Sequence, residues 1–203
     1  MNNWIIGEEF LSKQDSILKD LVTRYGPCDL RTLPQKEYFN TLLKGIISQQ
    51  LSQQVAAGIY KKVCSYYNDE PAPEKMYETS FEQLRELGLS QQKAIYINDF
   101  CKHIVEKKVD LSCFTKMSDM EIMDALLPIK GFGRWTVEMF LIFALNRPNI
   151  WPIDDFGIKK AMNMLYGVDM KSRRPVYNGI AEKWEPWRTL ATWYLWRYYS
   201  EHK

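Results

Sequence analysis

With 203 residues, 46% of them hydrophobic, the chain can bury one good core or two small helical lobes and little more. Its formal net charge of +2 names no partner, because nucleic-acid binders are recognised by where their basic residues lie rather than by the total. No stretch approaches the ~20 apolar residues of a membrane span, and Met1-Asn2-Asn3-Trp4 followed by Glu8 and Glu9 lacks the order of a signal peptide, so a soluble, intracellular, non-secreted protein is expected.

Without repeats, low-complexity tracts or long linkers, the chain reads as all-α. Residues 41–62 carry Ile47, Leu51, Val55 and Ile59 at a spacing of four, and residues 81–87 and 91–106 continue in helical register. Gly88 punctuates the latter pair, and Ser90 is the predicted N-cap of the next helix. Ser118 and Glu121 form a capping-box pattern ahead of Ile122, Met123, Leu126 and Leu127, and Pro128 stops that helix. A second helix is predicted over 134–145.

Between these two helices lies Ile129-Lys130-Gly131-Phe132-Gly133. Two glycines flanking one apolar residue permit a tight reversal with positive φ and a close approach of backbone to another surface, while Phe132 plugs into the core. A helix that starts directly after Gly133 points its free N–H groups outward, which makes an anion site suited to a phosphate. Taken alone, Gly-x-Gly also describes an ordinary helical turn.

Further on, Pro152, the pair Asp154-Asp155, then Ile158, Met162 and Leu165 at helical spacing, and Gly167 as a stop, predict a helix whose N-terminus carries two carboxylates. One can cap and the other can react, and the macrodipole there favours the ionised form. From Phe156 onward nine Lys and Arg stand against four acids, a phosphate-facing edge or simply a solvated face.

The string Leu126-Leu127-Pro128-Ile129-Lys130-Gly131-Phe132-Gly133-Arg134-Trp135-Thr136, followed by Trp151-Pro152-Ile153-Asp154-Asp155-Phe156-Gly157, resembles the hairpin and catalytic-aspartate segment of the helix-hairpin-helix DNA glycosylases, and within them the 3-methyladenine DNA glycosylase II family. Gly45-Ile46-Ile47-Ser48-Gln49-Gln50-Leu51-Ser52 resembles the family's DNA-wedge region. Trp184-Glu185-Pro186-Trp187-Arg188 and Trp193-Tyr194-Leu195-Trp196-Arg197 resemble its C-terminal signature.

The resemblance implies two helical lobes flanking a cleft within a single unit: lobe one over about 36–146 with the hairpin at 118–145, and lobe two from 1–35 together with 147–203. It makes Asp155 the catalytic carboxylate and Asp154 the cap. Trp135 and Trp196 become walls of an aromatic base pocket, with Tyr38, Phe39 and Met139 as weaker members. Gln50, with its neighbour Gln49, becomes the wedge that fills the gap left by a flipped base, although a polar Gln-rich turn is also an ordinary surface feature. Lys130, Gly131, Gly133, Arg134 and Thr136 become the phosphate grip.

Double-stranded DNA containing alkylated bases is then the expected partner of a monomer working in base excision repair, in the cytoplasmic nucleoid of a bacterium or the nucleus of a eukaryote. Lyase chemistry is not expected, because Trp135 stands where bifunctional relatives place a Schiff-base lysine. Cysteines 28, 64, 101 and 113 form no C-x-x-C pair and none follows Cys113, so reduced structural thiols are expected, with no zinc site, disulfide framework or iron–sulfur cluster. No cofactor is required, though a monovalent cation can bridge hairpin carbonyls and a phosphate, as in relatives. His202 lies in the last residues and His103 in a helix expected to be far from the motifs, so no dedicated general acid is expected. That favours a leaving base that is already cationic. Competing readings are a glycosylase for uracil or mismatched bases, a non-catalytic DNA-binding module, and a structural helical domain.

Overall fold

Short polar side chains start several of the helices of this chain and left-handed turns end several of them, the local chemistry expected where four N–H and four C=O groups lack intrahelical partners. A computed structural model describes residues 4–203, and no strand appears among them; the first three residues of the predicted second lobe lie outside the described residues. In chain order the helices are α1 (Trp4–Gln14), α2 (Ser16–Tyr25), α3 (Tyr38–Ser48), α4 (Gln53–Tyr66), α5 (Pro73–Glu78), α6 (Phe81–Glu86), α7 (Gln91–Val105), α8 (Asp119–Leu126), α9 (Arg134–Phe143), α10 (Phe156–Tyr166), α11 (Arg174–Ala181) and α12 (Arg188–His202). Contacts divide the chain into one unit made of Met1–Thr32 with Leu141–Lys203, and another made of Leu33–Phe140.

Several local signals act as predicted. Ser90 caps α7, its Oγ accepting from the Lys93 N–H at 3.3 Å. Ser118 and Glu121 close both arms of a capping box on α8. Gly167, at φ 68°, ends α10 in the left-handed conformation. The run over 41–62 does not continue as one helix. Gln50 turns the chain at φ 57°, and the Ser52 hydroxyl caps a new helix, α4. Leu51 and Val55 consequently face solvent, and α3 buries Leu42, Leu43, Ile46 and Ile47 instead. Cys113 is exposed rather than a core residue, whereas Cys101 is buried and its thiol is pushed up to about 12 by that burial.

The unit carrying both chain ends packs α12 against α1, α2 and α10. Thr189 to Leu195 are all buried, so α12 is nearly surrounded along its first two turns. Its polar centre is Asp15, a buried carboxylate that caps α2 through the Ile17 and Leu18 N–H groups. The same side chain accepts from the Tyr166 hydroxyl and the Trp184 indole N–H, each at 3.0 Å, and pairs with Lys183 at 2.9 Å. A buried charge is tolerated here because nearly every lone pair has a donor.

Burial pushes the Asp15 carboxyl up, but the bonds from Lys183, Trp184 and the Leu18 N–H outweigh it and hold the group below its ordinary value. The stabilisation from that depressed value is complete above the unfolded pKa and is lost as pH falls through the folded one. Asp15→Ala should therefore cost about 3 kcal/mol in chemical denaturation at neutral pH. The difference from wild type should shrink as the pH is lowered below about 4.

Candidate functional site

Asp155 sits at the junction of a loop and a helix. Its extended backbone, at φ −66° and ψ 129°, places the side chain back over the first turn of α10, and Oδ1 accepts from the Ile158 N–H at 3.0 Å. The same oxygen accepts from the indole N–H of Trp196, on the last turns of α12, at 2.9 Å. Both chain segments can come this close because residue 157 is glycine: a Cβ there would stand 3.1 Å from Asp155 Oδ1 and 3.1 Å from the Tyr199 ring. Trp196 in turn lies stacked on Phe143, with centroids 5.4 Å apart and planes 18° from parallel.

The expected division of labour within the aspartate pair is corrected by this geometry. The cap is Asp155, not Asp154, because the residue directly before the first helical residue is the one whose side chain reaches the N3 amide. Asp154 is exposed and forms ion pairs with Arg174 and, at 3.9 Å, with Lys159. It collects cations beside the half-buried carboxylate of Asp155.

The aromatic candidates separate in the same way. Tyr38 and Phe39 belong to the core: Tyr38 meets Phe140 edge-on and Phe39 stacks on Phe100, and at 1% and 8% exposure neither offers a face to a ligand. Trp135, Met139 and Phe143 recur every four residues along α9 and so share one face of that helix. Trp135 and Phe143 are 46% and 42% exposed, and Met139 between them is half-buried. The sequence reading named the first two and not Phe143, although its spacing from Met139 places it on the same face. Also unforeseen is Phe156, 60% exposed directly after Asp155, edge-on to Tyr199 and under the Lys160 ammonium.

In the other unit, Phe132 plugs into the core against Phe100, as its place between two glycines predicts. Only Gly131 takes a positive φ, at 87°, and a Cβ there would overlap the Tyr96 ring. A Cβ on Gly133 would meet nothing within 4 Å, so the second glycine leaves open space at the start of α9 rather than making the turn. Lys130 and Arg134 are exposed, Arg134 pairing with the buried carboxylate of Glu138 at 2.8 Å. Thr136 is half-buried, its methyl nearest to Gly45.

Of the wedge candidates, Gln50 is exposed in its left-handed turn, whereas the Gln49 amide donates to the Gly131 carbonyl at 2.8 Å. Gln49 is thus tied within the protein, and Gln50 is the one of the pair left exposed. His103 is not far from the motifs either. It bonds through Nδ1 to the Asp99 carbonyl, and Asp99 Oδ2 accepts from the Lys130 N–H of the hairpin at 2.8 Å.

A capped carboxylate beside stacked aromatics, with a glycine hairpin presenting the start of a helix, defines the class. The chain belongs to the HhH-GPD superfamily of base excision DNA repair proteins, whose family description it matches over residues 43–186. Among curated relatives it is 34% identical over 200 residues to an alkylbase DNA glycosidase-like protein of Schizosaccharomyces pombe, covering 97% of this chain and 94% of that one. It is 35% identical over 187 residues to DNA-3-methyladenine glycosylase 1 of the same organism, covering 89% and 79%. Among solved structures, that of the Schizosaccharomyces pombe 3-methyladenine DNA glycosylase in complex with abasic DNA superposes with a TM-score of 0.82 at 31% identity, over 94% of this chain and 95% of that one.

The two hairpin glycines make opposite demands, and this is testable. Gly131→Ala forces a Cβ into the Tyr96 ring at positive φ, and should cost about 1–3 kcal/mol in thermal or chemical unfolding. Gly133→Val should leave stability within about 0.5 kcal/mol yet weaken binding to duplex DNA, read by fluorescence anisotropy.

Proposed function

We propose that this protein is a DNA glycosylase that hydrolyses the N-glycosidic bond of alkylated bases in duplex DNA and does not cut the strand. The observation that carries the reading is the Asp155 carboxylate, held on one oxygen by the Ile158 N–H and the Trp196 indole. The family and the named activities of the relatives supply the substrate class.

Breaking the bond between base and deoxyribose builds positive charge on the sugar, as in other glycosyl hydrolyses. A carboxylate fixed before the reaction begins stabilises that charge without reorganising, and it can orient the attacking water on the opposite side from the departing base. An alkylated purine already carries positive charge and leaves as a neutral base, so the step needs no proton donor. The stacked Phe143 and Trp196 rings suit such a base, because each good cation–π contact contributes about 0.5–2 kcal/mol. Gln50, exposed on its turn, fills the space in the stack. Trp135 has no amine, so no Schiff base forms with the sugar at that position and the product is an intact abasic strand.

Phosphate binding falls to the outward N–H groups at the start of α9, with Lys130 and Arg134 beside them. A monovalent cation at the hairpin would be held by main-chain carbonyls of that loop, of which the Gly131 oxygen already accepts one bond from the Gln49 amide.

Methylated duplex DNA incubated with the protein should release 3-methyladenine and 7-methylguanine, seen by chromatography, and leave abasic sites without strand breaks or a borohydride-trapped protein–DNA adduct. No release from alkylated DNA would overturn the substrate class, and breaks appearing together with release would overturn the hydrolytic mechanism. Trp196→Phe keeps an aromatic ring but removes the N–H to Asp155, and should slow single-turnover release by about 10-fold or more.

A further inference from the structure

One face of α7 makes contacts for which the proposed reaction has no use. Lys93, Tyr96, Asp99 and His103 are spaced three, three and four residues apart, so they line one side of that helix. The Lys93 ammonium is buried and donates to the Ile47 carbonyl at 2.7 Å, at the end of α3 where main-chain carbonyls lose their helical partners and attract a cation. Burial lowers the Lys93 pKa, the mark of an ammonium placed there against its hydration. A turn further along, the Tyr96 ring fills the space that a side chain on residue 131 would need, and Asp99 accepts the Lys130 N–H. The turn after α3 and the hairpin before α9 are therefore both fastened to a single helix face. Gln49 then joins the two loops directly, through its bond to the Gly131 carbonyl.

We infer that Lys93, Tyr96 and Asp99 form a positioning clamp, with Gln49 as its cross-tie, that presents Gln50 to DNA at a set distance from the hairpin, so that phosphate docking and insertion of Gln50 into the base stack occur as one event. The inference rests on the reading of duplex DNA with an everted base as the substrate. Its physical basis is entropic. A wedge on a loose turn would have to be ordered during insertion, and that cost would be taken from the energy available to unstack the base. Gln50 already holds its left-handed backbone while its neighbour is tied on the hairpin side and Ile47 on the α7 side.

The test uses a duplex with 2-aminopurine beside a stable abasic analogue, whose fluorescence rises when the stack is opened. For Gln49→Ala, affinity for undamaged duplex should stay within about twofold of wild type, because phosphate contacts carry it. The fluorescence rise on binding should fall by at least about fivefold, and single-turnover base release should slow by about 10-fold. Lys93→Met, which loses the donor, should behave alike, and Lys93→Arg, which keeps one, should recover most of the signal. A wild-type fluorescence rise in Gln49→Ala, or a duplex affinity that falls in step with the fluorescence, would overturn the clamp. The two readings fail separately: absent base release by the wild-type protein counts against the reaction, while the fluorescence comparison tests the clamp whether or not a base is released.

Discussion

A single carboxylate oxygen, Asp155 Oδ1, closes the first turn of α10 and also receives the indole N–H of Trp196. A cap is ordinarily a local matter between neighbours in sequence, but here it also fixes the middle of α12, 41 residues away. Gly157 permits this closeness without a shift of its neighbours, and the stack of Phe143 on Trp196 braces the indole from the other helix in contact with it. The carboxylate therefore has its direction set by the fold before any substrate arrives. A group meant to stabilise a short-lived cation works best when it is already aimed. The rest of that unit supports the arrangement: the first two turns of α12 are buried, and the Asp15 network ties α2 to α10 and to Trp184, just ahead of α12.

The other unit solves a different problem with backbone rather than charge. Its hairpin reaches outward with a glycine where a side chain would strike Tyr96, and with a second glycine where open space is left at the start of a helix. Recognition of phosphate by main-chain N–H groups is indifferent to base sequence, which suits a protein that must inspect any stretch of DNA. In the proposed reaction, selectivity is then left to the aromatic side chains and to the chemistry of the leaving base.

The parts of this structure that were legible in the sequence are those governed by neighbours. The caps at Ser90 and Ser118, the stop at Gly167 and the insertion of Phe132 each follow from a few adjacent residues. What was not legible depends on distant partners or on one dihedral angle. The spacing of Ile47, Leu51, Val55 and Ile59 survives a break at Gln50, so periodicity alone runs two helices together. Asp154 and Asp155 are chemically identical, and their roles are assigned by where α10 begins and by Arg174, 20 residues further on. Tyr38 and Phe39 look like ring faces for a ligand until Phe140 and Phe100 cover them. Gln49 and Gln50 are the same residue type, and they are told apart by the bond of Gln49 to the Gly131 carbonyl and by the left-handed, exposed turn at Gln50.

The most direct measurement is single-turnover release of alkylated bases by Asp155→Asn, with binding to abasic-analogue duplex and thermal unfolding measured on the same preparation. Asparagine is as good an N-cap as aspartate and keeps an acceptor for the Ile158 and Trp196 donors, so the variant removes the charge and little else. The account predicts unfolding and DNA binding close to wild type, with base release slowed by about 100-fold or more. Release within a few-fold of wild type would contradict it, and would mean that the fixed carboxylate holds α10 and α12 in place without taking part in the chemistry.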